Sequence, residues 1–506
     1  MSMTHQGFGY CPNQARISIQ GCKRLIALLD LPAYWPLVVA LLSLVCASIA
    51  AVHILLYKRD HRAAVAWMGL VWLLPLLGSL LYLILGVNRI KRRASTRREG
   101  VHRRQGGPEV SHASAHDLER FVPPGLRPLS RLSNRVSRQP LLGGNALRAL
   151  VDGDEAYPEM LGAIRRAEKS MSLSTYIFYN DTVGREFAEA LGQAVARGVE
   201  VRVLIDAVGL RYSLPTIEGP LSEQGVRMRK FMPNRLPWTT PFMNLRNHRK
   251  ILIVDGQWGF FGGMNIGEGN CVRRNPARPM HDLHFSVEGP VVAELQEVFA
   301  EDWEFAAGET LEGPLWFPEP RTPGATLARV VADGPDERFD TLRQIITGAL
   351  SVARHRVRVM TPYFLPDSTL EDALCTAALR GVDVHILLPG KNNLPVVDWA
   401  ARPHLEPLLR WGCRIWFSEG NFDHSKLMTV DGEWALPGSA NWDPRSLSLN
   451  FEANVECYDP WLVASLDDWF ESRRQASTEL TLEALLSEPL QRRLRNGVAR
   501  LFSPYL

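Results

Sequence analysis

The chain has 506 residues, 46% of them hydrophobic, and its 57 Lys and Arg nearly balance 54 Asp and Glu for a formal charge of +3. That length holds two or three domains and a large core, and so small a net charge gives no signal of a nucleic-acid-binding protein. The seven cysteines (Cys11, Cys22, Cys46, Cys271, Cys375, Cys413, Cys457) are odd in number, scattered and without CxxC or Cys/His spacing. They read as reduced thiols in a reducing compartment, with no zinc site.

Residues 1–30 are a mixed polar segment. Residues 31–57 carry no formal charge and are long enough to span a bilayer as a helix; residues 63–86 form a second charge-free run after the short polar stretch KRDHR. Together they predict a transmembrane helical hairpin, with Tyr34, Trp35, Tyr57, Trp67 and Tyr82 toward the span ends. The tract Arg89, Lys91, Arg92, Arg93, Arg97 and Arg98 outweighs Lys58, Arg59 and Arg62 in the loop, which places both termini in the cytoplasm. Residues 87–144 are rich in Arg, Ser, Gly and Pro, lack an apolar period, and read as a linker.

From about residue 145 the chain repeats itself, in segments 145–315 and 325–506. FAEALGQAVARGVEVRVLID corresponds to LEDALCTAALRGVDVHILLP, each an amphipathic helix, an Arg-Gly turn and a buried strand. Alternating helix and apolar strand implies an α/β layered unit, present twice. The strongest signal within it is NHRKILIVDGQWGFFGGMN, matched by DHSKLMTVDGEWALPGSAN. Both obey H-x-K-x4-D-x6-G-[GS]-x-N, placing His248, Lys250, Asp255, Gly263 and Asn265 at the offsets of His424, Lys426, Asp431, Ser439 and Asn441.

Those residue types suit a phosphodiester. One neutral imidazole can attack phosphorus while a second, protonated, supplies the leaving alkoxide with a proton and then serves as base for the acceptor. Each lysine can neutralise nonbridging oxygens, so the chemistry requires neither a metal nor a cofactor. The apolar runs after each H-x-K suggest a strand with His and Lys on one face, and the small G-G-x-N and G-S-x-N segments let backbone amides approach a phosphate. Asp255 and Asp431 sit in V-D-G turns, where bracing the turn competes with a place among the catalytic residues. Asn265 and Asn441 are open to either phosphate contact or loop bracing.

Both copies resemble the HKD motif of the phospholipase D superfamily, and the flanking segments (STYIFYNDTVGREFAEAL, TPYFLPD, GSANWDPRSLSLNFEANVE) are similar to bacterial cardiolipin synthases. The resemblance implies two tandem phospholipase D-like α/β/α units packed around a shared active site. It implies that Asp282, 34 residues after His248, orients that histidine, and that Glu452, 28 residues after His424, orients the other. It also implies a membrane-bound phosphatidyltransferase of the bacterial inner membrane that makes cardiolipin from phosphatidylglycerol, with His248 as nucleophile. The alternatives are hydrolysis to phosphatidic acid and phosphatidylethanolamine as donor; headgroup choice would lie in loops such as FMPNRLPWTTPF. Partners are expected to be phospholipids and the bilayer and not nucleic acid; the internal duplication removes the need for a homo-oligomer without excluding one. The tail after Asp459 reads as amphipathic helices that pack on the body or touch the bilayer.

Overall fold

The structure is a computed structural model and describes residues 31–58, 61–86, 120–137, 139–233, 245–334 and 340–503. The N-terminal segment, the basic tract at 89–98, most of the linker and most of FMPNRLPWTTPF lie outside the described residues. The chain forms two units, residues 1–89 and 90–506.

In the first unit, helix Leu31–Tyr57 follows the charge-free run; its 24-residue stretch Tyr34–Tyr57, of mean hydropathy 2.5, is long and apolar enough to cross a membrane. The second apolar run was expected as one helix over 63–86. It is instead broken at Leu74, where Pro75 has no N–H to continue the ladder, into helices His61–Leu73 and Pro75–Leu81 and a π-helical turn Tyr82–Gly86. The pieces fold back on the first helix. Ala47, Ala50 and Ile54 bury against Val71 and Tyr82, and His53 Nδ1 lies 2.8 Å from the Tyr82 hydroxyl. Leucines such as Leu41, Leu55 and Leu73 remain exposed.

The second unit begins inside the expected linker. Val122, Leu126 and Leu129 are buried, and helix Arg127–Val136 joins the core of the second repeat. Val122, Leu126, Leu129, Leu132 and Val136 do recur at helical spacing; the intervening arginines obscured it. Residues 120–137 are therefore part of the body.

The strands are β1 (Leu142–Val151), β2 (Ser170–Thr175), β3 (Glu200–Asp206), β4 (Met228–Phe231), β5 (Ile251–Val254), β6 (Trp258–Gly262), β7 (Met280–His281), β8 (Leu283–Glu288), β9 (Thr326–Asp333), β10 (Arg356–Met360), β11 (Asp383–Pro389), β12 (Arg414–Ser418), β13 (Phe422–Asp423), β14 (Leu427–Val430), β15 (Trp434–Ala435), β16 (Glu452–Tyr458) and β17 (Ser477–Leu480). The first half runs β1-β8-β6-β5-β2-β3-β4, and the second repeats it as β9-β16-β15-β14-β10-β11-β12 with β17 added at the edge. Antiparallel pairing of β1 with β9 joins the halves.

Repeated local chemistry makes the repeated fold. Asp181 and Asp367 cap equivalent helices by accepting from the Gly184 and Leu370 amides. Both helices end in the Arg-Gly turn, with Gly198 at φ 91° and Gly381 at φ 88°, the left-handed conformation glycine adopts without strain. Arg197 and Arg380 each turn back to donate to carbonyls at the end of the preceding helix. Between the halves lies a common core. Phe261, Phe285, Phe299 and Trp303 of the first half cluster with Val330, Val455, Leu466 and Phe470 of the second, so the two α/β units share one interior.

Candidate active site

His248 and Lys250 lie in the extended segment leading into β5, and His424 and Lys426 in that leading into β14. Each segment is held by the opposite half. Asn247 forms a parallel bridge with Phe451, and the His248 amide donates to the Phe451 carbonyl at 2.9 Å. On the other side β7 runs parallel to β13, and the His424 amide donates to the His281 carbonyl at 2.7 Å.

This exchange decides which acid meets which histidine. His248 Nδ1 lies 3.1 Å from Glu452 Oε2, and His424 Nδ1 lies 2.7 Å from Asp282 Oδ2. The expectation that Asp282 serves His248 and Glu452 serves His424 is thereby corrected: the partners cross between the halves. The acids sit at equivalent places, Asp282 just before β8 and Glu452 at the start of β16, where each strand meets the other half's histidine segment. Each acid thus bonds a motif histidine, and both are fully buried.

The two dyads are not equivalent. Glu452 also accepts from the Ser439 hydroxyl at 2.5 Å and from Asn450 Nδ2 at 3.2 Å. Burial works to raise it, yet His248, Lys250 and Ser439 hold it below the usual carboxylate value. Burial pushes His248 down, against the pull of Glu452. Besides facing its histidine, the Asp282 carboxylate accepts from the Leu283 amide at 2.8 Å, and burial lifts it to about 8. Burial, Lys426, Lys250 and His248 together hold His424 well below its ordinary value, so both histidines lie within electrostatic reach of one another. The lysines are buried too, which lowers Lys250 to about 7 and Lys426 to about 8. Each donates to the carbonyl of its own motif histidine.

The structure removes Asp255 and Asp431 from the catalytic set. They stand at the far end of β5 and β14 from the histidines, at φ 53° and 55°. Asp255 accepts from the backbone amides of Glu168, Lys169 and Ser170; Asp431 accepts from those of Arg354, His355 and Arg356. Their task is to pin the start of the neighbouring strand. Asn265 is likewise a brace, accepting from the Ile177 amide at 3.0 Å, while Asn441 donates weakly to Ser446 at 3.4 Å and keeps its carbonyl oxygen without a hydrogen bond.

Several residues were not singled out from the sequence. The Tyr176 ring lies 5.2 Å from that of His248, tilted by 57°, with Lys250 Nζ 5.5 Å from the same ring; Tyr363 and Phe422 lie 6.4 and 5.8 Å from His424. The Tyr-Phe-bearing loops STYIFYND and TPYFLPD were the available signal. His284 faces Gly262 across the β6–β8 ladder, buried and without a hydrogen bond on either nitrogen, and burial beside Lys250 lowers it to about 3.

Residues 160–303 and 346–474 match the family model described as "Cardiolipin synthase, PLD-like domain", and residues 45–86 match one described as "Phospholipase_D-nuclease N-terminal". The chain belongs to the cardiolipin synthase family of the phospholipase D superfamily. It is 34% identical over 466 residues to a cardiolipin synthase of Geobacillus kaustophilus (strain HTA426), covering 90% of this chain and 91% of that one. It is also 34% identical over 468 residues to cardiolipin synthase A of Pseudomonas fluorescens (strain Pf-5), covering 90% and 96%. The fold is that of a phosphatidylserine synthase crystal structure from Haemophilus influenzae Rd KW20, with a TM-score of 0.58 at 17% identity over 75% of this chain and all of that one.

Proposed function

We propose that the protein transfers a phosphatidyl group from one phosphatidylglycerol to a terminal hydroxyl of another, yielding cardiolipin and glycerol. The observation that carries this reading is the pair of crossed His–carboxylate dyads in unlike environments, each beside a buried lysine. With Glu452 ionised, His248 donates its Nδ1 proton to that carboxylate and keeps a free electron pair on Nε2 for attack. With Asp282 protonated below about pH 8, its carboxyl donates to His424 Nδ1, so His424 carries its own proton on Nε2.

His248 Nε2 forms a bond to phosphorus as the bond to the glycerol oxygen breaks. That oxygen takes the Nε2 proton of His424, whose Nδ1 receives the proton of Asp282. In the second step the acceptor oxygen forms a bond to phosphorus as the P–N bond to His248 breaks, its hydroxyl proton returns to His424 Nε2, and Asp282 recovers its own. The phosphate anion restores charge to Lys250 and Lys426, whose proton affinity burial had reduced. The rings of Tyr176, Tyr363 and Phe422 around the histidines favour a lipid-borne hydroxyl over bulk water as acceptor. The apolar N-terminal helix supports a chain held at the bilayer, and by the positive-inside rule the cations beyond the second apolar segment favour a cytoplasmic body.

The test is detergent-purified protein with phosphatidylglycerol as sole lipid in EDTA, beside His248→Ala and His424→Ala. Cardiolipin and glycerol from the wild type alone are expected. Phosphatidic acid as main product would mean that water is the acceptor, and cardiolipin from both variants would refute the two-histidine route.

A further inference from the structure

The last helix, Leu490–Arg500, turns its apolar stripe away from the protein. Leu490, Leu494, Val498 and Leu501 recur at intervals of four, four and three residues along one face, and all are more than half exposed. The opposite face carries Asn496 and Ala499, which are buried, Ala499 in a cluster with Val397, Ala400 and Leu365. Burial of the polar side of an amphipathic helix with display of the apolar one is the reverse of what packing alone selects. Two further features indicate what covers that stripe. Arg493, Arg495 and Arg500 are exposed and flank it, exposed Arg492 adds a further cation to the helix, and there is no acid between Pro489 and Ser503. The helix also borders the active site, because Tyr363, beside His424, packs on the cluster that seats Ala499, and Arg495 lies 4.4 Å over Trp399 of the same cluster.

We propose that this helix is a bilayer-docking surface, its leucines entering the outer acyl region and its arginines engaging anionic phosphatidylglycerol headgroups. An apolar stripe bordered by cations is the form that binds an anionic interface. Seated there, it brings the phosphodiester plane of the membrane to the His424 side of the cleft. The proposal rests on the lipid-substrate reading, but its test does not read turnover.

A photo-crosslinking amino acid would be placed at Leu494, or at exposed Glu189 on the helix Thr182–Ala196 as control, in full-length protein in nanodiscs. Lipid adducts at position 494, absent at 189, are expected, and they should be more abundant in phosphatidylglycerol than in phosphatidylcholine discs. Exchanging Arg493 and Arg500 for glutamine should abolish that preference, each arginine near an anionic surface contributing roughly fivefold in affinity. Equal labelling at both positions, adducts to a second protein copy in place of lipid, or no lipid adduct at 494 would overturn the proposal. Lipid adducts in a preparation that makes no cardiolipin would uphold the surface while refuting the reaction.

Discussion

Asp282 and Glu452 occupy equivalent places in the two halves, and what differs is their hydrogen bonds. Glu452 is supported by Ser439 and Asn450 and stays ionised; Asp282 lacks such support and keeps a proton to about pH 8. The transfer rate should therefore fall as pH rises through about 8, because the His424–Asp282 dyad then loses the proton destined for the leaving group. A pH profile of the single-turnover rate of glycerol release reads this directly. The crossed pairing makes a sharper forecast. Asp282→Asn should slow reaction of phosphatidylglycerol by about 100-fold or more, as loss of general-acid help does, yet spare phosphodiesters with a nitrophenolate leaving group. Glu452→Gln should impair both substrates; an uncrossed pairing requires the opposite pattern. The need of an imidazole for an orienting partner directed attention to acids after each motif, and the family resemblance singled out these two. Their assignment was not legible, since spacing along a chain of duplicated halves says nothing about which half supplies the adjoining strand.

Within single elements, the motif aspartates show how a recurrent residue can serve the scaffold alone. Asp255→Asn or Asp431→Asn withdraws a carboxylate from three backbone amides and should cost about 1–3 kcal/mol of stability while leaving kcat per folded molecule unchanged. Urea unfolding compared with active-site-normalised rates separates the two. The turn itself was legible, since V-D-G with a residue at positive φ is a strand terminator. Helix Arg127–Val136 was not: Arg127, Arg131 and Arg135 interrupt its apolar positions and gave the segment the composition of a tether. Leu129 is fully buried there, and Leu129→Ala should lower the unfolding free energy by about 2–5 kcal/mol, read from the urea midpoint.

At the scale of the whole molecule, the duplication was plain in the sequence, because each half repeats its own caps, Arg-Gly turns and buried strands. The common interior was visible only in the fold, since Trp303, Phe299, Val455 and Phe470 are far apart in the chain and meet only after both halves are formed. A soluble body truncated to begin at residue 140 should accordingly aggregate, while one beginning before residue 120 stays monodisperse by size-exclusion chromatography; the shorter form leaves Leu342, Ile345 and Ile346 without the cover of Leu126 and Leu129. The crossed dyads carry a consequence for biosynthesis. His248 waits for an acid 204 residues downstream, and Asp282 for a histidine 142 residues downstream. Under the proposed mechanism, a nascent first half emerging from the ribosome thus holds its nucleophile with no partner to orient it, and the polypeptide should stay chemically silent until translation is nearly complete.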